Sequence, residues 1–362
     1  MIISRTPYRI SLFGGGTDFP AWYHRHGGSV IASSIDKYCY LNVRYLPPFF
    51  EHKYRVVWSK IESCRESGEI EHNAVRALID HLEISRGLEI THIGDLPARS
   101  GMGSSSAFTV GLLNALYALK GRMINKHDLA MEAIHLEQNV LKENVGSQDQ
   151  VSAAFGGLNR IDFHTNGEIT VTPVTVSAER VRELQSHLML FYTGIKRTSS
   201  DVTEKFVQSI EAKKRQLRIM KDLVDESVSI LNSTRDISEF GELLHEAWDA
   251  KRSLSSAVSN KDVDTIHAEA ISAGAIGGKI TGAGGGGFLL LFVPPERQGA
   301  VKAALNKFLH VPFRFEYAGS QIIFADNEAD YSSEEVARVF QPIQEFRELS
   351  DLADAPPARR QR

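Results

Sequence analysis

Two kinds of hydrophobic spacing run along the chain and divide it into strands and helices. Ile2–Ser11 and Ser29–Tyr45 carry the β-branched and aromatic content of strands, and Leu88–Ile93 alternates apolar with polar positions at period two. Asn73–Leu82 and Lys126–Lys142 have helical spacing. Ala107–Leu119 is an apolar run free of glycine except Gly111, long enough to predict a buried helix. Further on, His187–Tyr192 and Phe288–Phe292 predict strands. Val202–Ser233, Ile237–Ser256, Val263–Ala273 and Ala300–His310 predict helices. The change of pattern near residue 190 predicts a boundary, with an N-terminal domain over 1–190, a C-terminal domain over 191–342 and a polar tail over 343–362. The fold class is mixed α/β.

One polar residue breaks the pattern in an informative way. At 100° per residue, Leu129, Ala130, Ala133, Ile134, Leu136, Val140 and Leu141 share one helix face, and Glu137 falls near its middle. A carboxylate buried there has to be paired, protonated or bound to a cation. Asp149 follows in Gly146-Ser-Gln-Asp-Gln150 after a short turn, so the two acidic groups can converge. One can hold a metal while the other orients or deprotonates a hydroxyl. Taken alone, Asp149 would read as a helix cap.

Three glycine-rich segments punctuate the chain: Phe13-Gly-Gly-Gly-Thr-Asp18, Pro97-Ala-Arg-Ser-Gly-Met-Gly-Ser-Ser-Ser-Ala107 and Lys279-Ile-Thr-Gly-Ala-Gly-Gly-Gly-Gly-Phe288. A dinucleotide fingerprint is absent, because Ser104, Ser105 and Ser106 follow Gly101-Met-Gly103 where a third glycine is required. A Walker A loop fails as well, with Ala273 in place of its first glycine and Ile280 in place of its hydroxyl residue. The middle segment nonetheless combines glycines for close backbone approach with three hydroxyls at a helix start. That geometry aims amides at a phosphate and can offer hard oxygens to Mg²⁺. Arg9 and Thr17-Asp18 flank the first segment and can hydrogen-bond a polyol. Lys196 and Arg197 form a basic pair in a loop.

Composition narrows the function classes. The 362 residues are 42% hydrophobic and 24% charged, as in ordinary globular proteins, and the length suggests two domains. A net charge of −4 gives no electrostatic footprint for nucleic acid or a membrane surface. The two cysteines, Cys39 and Cys64, have no metal-binding spacing. No apolar stretch approaches the roughly 20 residues of a membrane span, and the start of the chain shows no secretory pattern, so a cytoplasmic location is expected.

Together these residues resemble the GHMP kinases. The motifs are Pro7-x-Arg9-Ile-x-Leu12-x-Gly14-Gly-x-Thr17-Asp18, Pro97-x-x-x-Gly101-x-Gly103-Ser104-Ser105-Ser106-Ala107 and Lys279-x-Thr281-Gly282-Ala283-Gly284-Gly285-Gly286-Gly287, in order over about residues 1–340. The resemblance implies an N-terminal domain like the ribosomal protein S5 fold and a ferredoxin-like C-terminal domain, with ATP and Mg²⁺ between them. It implies that Pro97, Arg99, Ser100, Gly101, Met102, Gly103, Ser104, Ser105 and Ser106 wrap the ATP phosphates. Ser105, with Ser104 beside it, and Glu137 would hold Mg²⁺. Asp149 would act on the acceptor hydroxyl, with Arg9 and Lys196 beside it. Gly14, Gly15, Gly16, Thr17, Asp18, Gly284 and Gly285 would line the acceptor site. Trp58 and Ser59, on a predicted strand, are the candidates for the base pocket. Within the family, Gly14-Gly-Gly-Thr-Asp-Phe-Pro20-x-Trp22-Tyr23 is most similar to the bacterial D-glycero-D-manno-heptose 7-phosphate kinases, with fucokinase-type enzymes next. Galactokinases carry an acidic residue and a histidine where Gly15 and Gly16 stand, so their absence argues against galactose. His24, Arg25, His26, Lys37, Arg99, Lys196 and Arg197 are the candidate partners of a substrate phosphate. The expectation is a sugar phosphate and ATP as partners, as monomer or homodimer. A non-catalytic sugar-binding regulator on the same fold is a remote alternative that the retained Glu137, Asp149 and serines argue against.

Overall fold

The computed structural model describes residues 1–195, 206–208, 210–255, 258–326 and 330–340. In chain order its elements begin with β1 (Ile2–Phe13), α1 (Pro20–His26), β2 (Gly28–Tyr45), β3 (Tyr54–Val57), β4 (Ile61–Cys64), α2 (Asn73–His81) and β5 (Leu88–Gly94). Next come α3 (Ser104–Leu119), α4 (Lys126–His135), α5 (Gln148–Phe155), β6 (Leu158–Phe163), β7 (Ile169–Pro173), α6 (Ala178–His187) and β8 (Leu188–Tyr192). The remainder holds α7 (Lys214–Leu231), α8 (Ser238–Arg252), α9 (Lys261–Ser272), β9 (Gly277–Ile280), β10 (Phe288–Phe292), α10 (Gln298–Ala304), β11 (Leu309–His310), β12 (Gln321–Ala325) and α11 (Ser332–Phe340).

Two sheets organise these elements. The first runs β12-β1-β2-β5-β3-β4, with β6 on the free part of β2 and β7 beside β6; all pairs are antiparallel except β3–β5. The long β2 makes this possible, since Gly28–Ser33 pairs with β6 while Cys39–Tyr45 pairs with β5. The second sheet is the antiparallel set β11-β8-β10-β9. β12 returns to β1, so the chain rejoins the first sheet after residue 320.

Packing follows the sequence pattern closely where apolar residues are dense. Helix α3 lies against β1, and Ser4 Oγ donates to Gly111 O at 2.9 Å. A Cβ on Gly111 would stand 2.7 Å from Thr6 Oγ1, which explains a glycine inside this helix. β10 is apolar on both faces because both are covered: Phe288, Leu290 and Phe292 enter the main core, Leu289 and Leu291 a second one with Met189, Phe191 and Trp248. Leu217, Met220 and Val224 of α7 join Phe13 and Val30 in the main core, which ties the second half to the β1–β2 hairpin.

Three expectations need correction, and a fourth lies partly outside the described residues. The helix expected over Lys126–Lys142 is α-helical to His135 and then opens into a π-turn over Leu136–Val140, where Leu141 N donates to Leu136 O. The helix expected over Val202–Ser233 lies partly outside the described residues, and its regular part is α7. The helix expected over Ala300–His310 is the shorter α10 followed by β11, because Leu309 and His310 pair with Tyr192 and Phe191. Trp58 and Ser59 stand in the bend between β3 and β4 rather than on a strand.

Candidate active site

Arg9 is the hub of the site. It sits near the end of β1, its side chain only 5% exposed, and its guanidinium forks onto Asp149 with Nε–Oδ1 2.7 Å and Nη2–Oδ2 2.6 Å. Its third nitrogen, Nη1, donates to Gly101 O at 2.8 Å, and its backbone amide to Met102 O. The planar fork fixes the carboxylate plane of Asp149, in the first turn of α5. Each carboxylate oxygen keeps a second lone pair. The Asp149 side chain is 23% exposed, so those lone pairs can be reached from the cleft.

Asp18 is buried beside this pair and fully occupied. Its Oδ1 accepts from Gly16 N at 2.9 Å and its Oδ2 from Gln148 Nε2 at 2.9 Å. Burial, with the nearby Asp149 charge adding to it, holds the carboxyl above its ordinary value; the Gly16 and Gln148 donors pull the other way. Thr17 Oγ1 donates to Gly14 O and sits on Ser29 O and N, which closes the Gly14–Asp18 loop on itself.

On the other side, Gly103 with φ +72° caps α3, and the first amides of that helix have no intrahelical acceptors. Glu137, carried in by the π-turn, accepts from Ser106 Oγ at 2.9 Å and from Gln150 Nε2. Both of these meet Oε2. Oε1 of Glu137 is buried with no protein partner, and Oε1 of Gln150 is likewise unpartnered. Burial raises the Glu137 carboxyl to about 7 despite its hydroxyl and amide donors. Unsatisfied oxygens on two hydrogen-bonded side chains, an amide and a carboxylate, are the hard donors that a cation such as Mg²⁺ prefers. Ser106, rather than Ser105, reaches Glu137; Ser105 is exposed on the first turn, with Ser104 between the extremes.

The third glycine segment closes against the second. A Cβ on Gly282 would lie 2.5 Å from Gly101 Cα, one on Gly101 would lie 2.6 Å from Thr281 O, and both residues have positive φ. Only glycine permits that contact. Gly287 similarly meets Ser100 O. Gly284 and Gly285 face away from this junction: Gly285 N donates to Val258 O, and Asn260 Nδ2 donates to Gly285 O.

Two buried lysines, neither assigned a role from the sequence, complete the wall. Lys279 Nζ donates to Leu12 O at 2.8 Å, and Lys251 Nζ to Ile280 O at 2.9 Å and Gly282 O at 2.5 Å. Burial, then the neighbouring Lys251 and Arg9 charges, push Lys279 well below its ordinary value. Burial and Arg9 lower Lys251 to about 7, with Asp18 opposing. Position 251 shares the apolar face of α8 with Leu244, Ala247 and Trp248. The rule that picked out Glu137 would therefore have found it.

The other candidates fall in several places. His72 stacks on Phe108 at 4.6 Å, Trp58 meets the His72 edge at 4.9 Å, and His92 meets Phe108 at 5.3 Å, one turn along α3 from the serines. Ser59 is exposed at the bend beside them, and Trp58 donates from Nε1 to Glu62. Pro97 and Arg99 are exposed, Ser100 and Met102 buried. Among the phosphate candidates, Arg25 and His26 pair with Glu211, Lys37 with Asp36, and His24 lies near Thr165 O. Lys196 and Arg197 lie outside the described residues. Among those residues no group of three or more His, Cys, Asp or Glu could hold a metal, and no helix is long and apolar enough to cross a membrane.

Known proteins resemble this chain in sequence and in fold. The model of the GHMP kinases N-terminal domain matches residues 70–157, and that of the GHMP kinases C-terminal region matches 220–311. A D-glycero-alpha-D-manno-heptose 7-phosphate kinase of Campylobacter jejuni is 27% identical over 84% of this chain and 93% of its own length. An L-fucokinase/L-fucose-1-P guanylyltransferase of Bacteroides fragilis is 28% identical over 61% of this chain and 23% of that protein. The crystal structure of a D-glycero-D-manno-heptose 1-phosphate kinase from Bacteroides thetaiotaomicron superposes with a TM-score of 0.73 at 24% identity, covering 90% of this chain and all of that one.

Proposed function

The chain belongs to the GHMP kinases, and we propose that it transfers the γ-phosphoryl group of ATP to the anomeric hydroxyl of D-glycero-D-manno-heptose 7-phosphate. The product is the 1,7-bisphosphate. The observation that carries this reading is the Arg9–Asp149 fork, anchored by the third guanidinium nitrogen on Gly101 of the second glycine segment. The heptose assignment draws on the similarity to the Campylobacter enzyme along most of both chains.

The chain's own groups account for the chemistry. Phosphoryl transfer passes through a loose transition state, so catalysis is mostly positioning and charge stabilisation. The free amides at the start of α3, with Ser104, Ser105 and Ser106, cradle the phosphates of ATP. Glu137 Oε1, Gln150 Oε1 and a serine of this turn are the residues that would hold Mg²⁺. When bound, that ion supplies charge neutralisation on the phosphate oxygens. Asp149 accepts a hydrogen bond from the acceptor hydroxyl on a free lone pair, orients its oxygen and takes its proton as the new bond forms. Arg9 keeps the carboxylate plane fixed throughout. Asp18 holds the Gly14–Thr17 loop in shape, and Gly15 leaves room for the far end of the sugar. The Trp58, His72, His92 and Phe108 rings offer apolar faces for the base.

ADP release measured with ATP, Mg²⁺ and a panel of sugars tests the reading. Turnover of heptose 7-phosphate with little turnover of free hexoses is the expected outcome. Turnover of fucose in its place would favour a fucokinase-like enzyme, the reading suggested by the Bacteroides fragilis relative. No ADP release with any sugar would sink the kinase reading and leave a sugar-binding regulator.

A further inference from the structure

Lys251 is a charged residue that the mechanism above does not use, yet it is buried at the edge of the site. It projects from the last turn of α8 (Ser238–Arg252), 8% exposed, among Leu244, Ala247 and Trp248. Burying an ammonium among apolar groups is unfavourable, and a methionine or leucine would fill the same volume without that penalty. The lysine therefore needs a reason other than packing. Its Nζ reaches across to the backbone carbonyls of Ile280 and Gly282.

Those two carbonyls begin the third glycine segment. Gly282, Gly284, Gly285, Gly286 and Gly287 all have positive φ. Such a run has many accessible backbone states and almost no side chains to select one. The contacts that choose its conformation must come from outside the loop. At its far end, Thr193 N donates to Gly287 O and Asn260 Nδ2 to Gly285 O. At its near end Lys251 supplies the donors. Gly282 in turn stands against Gly101, whose carbonyl accepts from Arg9, and Arg9 holds Asp149.

We infer that Lys251 is a positioning residue: its ammonium latches the Ile280 and Gly282 carbonyls to α8, seats the third glycine loop on Gly101 and so keeps Arg9 and Asp149 aimed at the transferred group. The charged groups that face it are Arg9 from β1, Lys279 from β9 and Asp18 from the first loop. This role rests on the kinase reading only for its kinetic consequence, whereas the latch itself can be observed without substrate.

Lys251→Met and Lys251→Gln test it with three measurements. Hydrogen exchange of the amides over 280–287 should speed up about tenfold or more in the Met variant, with exchange in β1 and α3 unchanged. With whichever sugar the parent turns over, kcat should fall about 100-fold while the affinity for ATP stays within about threefold. The Tm should hold or rise, because an unfavourable buried charge is gone. Gln, which can still donate from its amide, should recover part of both exchange protection and rate. Parental exchange in the loop overturns the latch even if no sugar is ever found. Parental kcat overturns it too, as does a loss of kcat that tracks a lowered Tm with Gln no better than Met. Should the Met variant fail to fold, the Gln variant carries the test: faster exchange confined to the loop supports the latch, and parental exchange overturns it.

Discussion

Asp18 and Glu137 are both fully buried carboxylates, one beside the proposed acceptor wall of the site and one beside the proposed phosphate wall, and the protein treats their oxygens differently. On the acceptor wall both oxygens of Asp18 meet protein donors, Gly16 N and the Gln148 amide. On the phosphate wall the Ser106 and Gln150 donors to Glu137 both fall on Oε2, while Oε1 is buried without a hydrogen bond of good geometry; the Thr109 hydroxyl is a third group that favours the charged carboxylate. A buried acceptor without a donor is costly unless a ligand completes it. The contrast separates a carboxylate that fixes the shape of a loop from one prepared for a cation. Asp149, held by Arg9 and partly open, keeps the access that its proposed contact with a substrate requires.

The largest test of that division is Asp149→Asn. It should lower kcat by about three orders of magnitude, with ATP affinity largely kept as read by equilibrium binding. Comparable loss of nucleotide binding would erase the distinction between the walls. Glu137→Gln should instead show on the nucleotide side, cutting kcat about 100-fold and abolishing the Mg²⁺ dependence of nucleotide affinity.

The same Glu137 variant has a signature in stability. Burial raises the folded carboxyl from its ordinary 4.5 to about 7. The folded state thus keeps a proton that the unfolded chain has released. The stability tied to that proton is complete below about pH 4 and is lost as pH rises through 7. In metal-free buffer the Gln variant should therefore melt above the parent at pH 8, with the gap closing towards pH 5. A constant gap would mean that the charge of Glu137 is met in some other way.

On the acceptor wall, a Cβ on Gly146 would fall 1.9 Å from Asp18 Oδ2. Gly146→Ala should cost about 2 kcal/mol in chemical denaturation by forcing Asp18 off its donors. The smallest effects separate two adjacent glycines. Gly16 has φ +99° and faces Leu217 Cδ2 at 3.2 Å, so Gly16→Ala should cost about 1 kcal/mol. A Cβ on Gly15 meets nothing nearer than Ser11 Oγ at 3.5 Å. Gly15→Ala should stay within about 0.5 kcal/mol of the parent, with its effect confined to the KM of the sugar phosphate. The idea that missing side chains open sugar space thus fits Gly15. At Gly16 the backbone and the packing of Leu217 and Phe206 are reason enough for glycine.

The strands β1, β2, β5 and β10 were legible because dense apolar residues leave few alternatives, and β10 read clearly because both its faces are buried. The short strands β3, β4, β7 and β11, all but β3 at sheet edges, carry mixed residues whose pairing depends on distant partners, so local pattern could not define them. Glu137 was legible as a carboxylate on an apolar face, although the π-turn that delivers it was not. Lys251 obeys the same rule on α8 and was passed over because it belongs to no glycine segment. The contact of Gly101 with Gly282, and the reach of Arg9 to Asp149, are tertiary events between loops far apart in sequence. No spacing within either loop encodes them. Helix rotation turns Ser106 inward onto Glu137 and leaves Ser105 outward, a difference that the run of three serines does not reveal.

The claim on which everything else depends is that the phosphoryl group goes to the anomeric oxygen of a heptose already phosphorylated at C7. Phosphorus NMR of the product formed from ATP and D-glycero-D-manno-heptose 7-phosphate reads this directly. The expected spectrum keeps the C7 phosphate signal and gains a second sugar phosphate signal coupled to the anomeric proton, in equal amount with ADP. ADP accompanied only by inorganic phosphate, or a new phosphate coupled to any other sugar proton, would contradict the account.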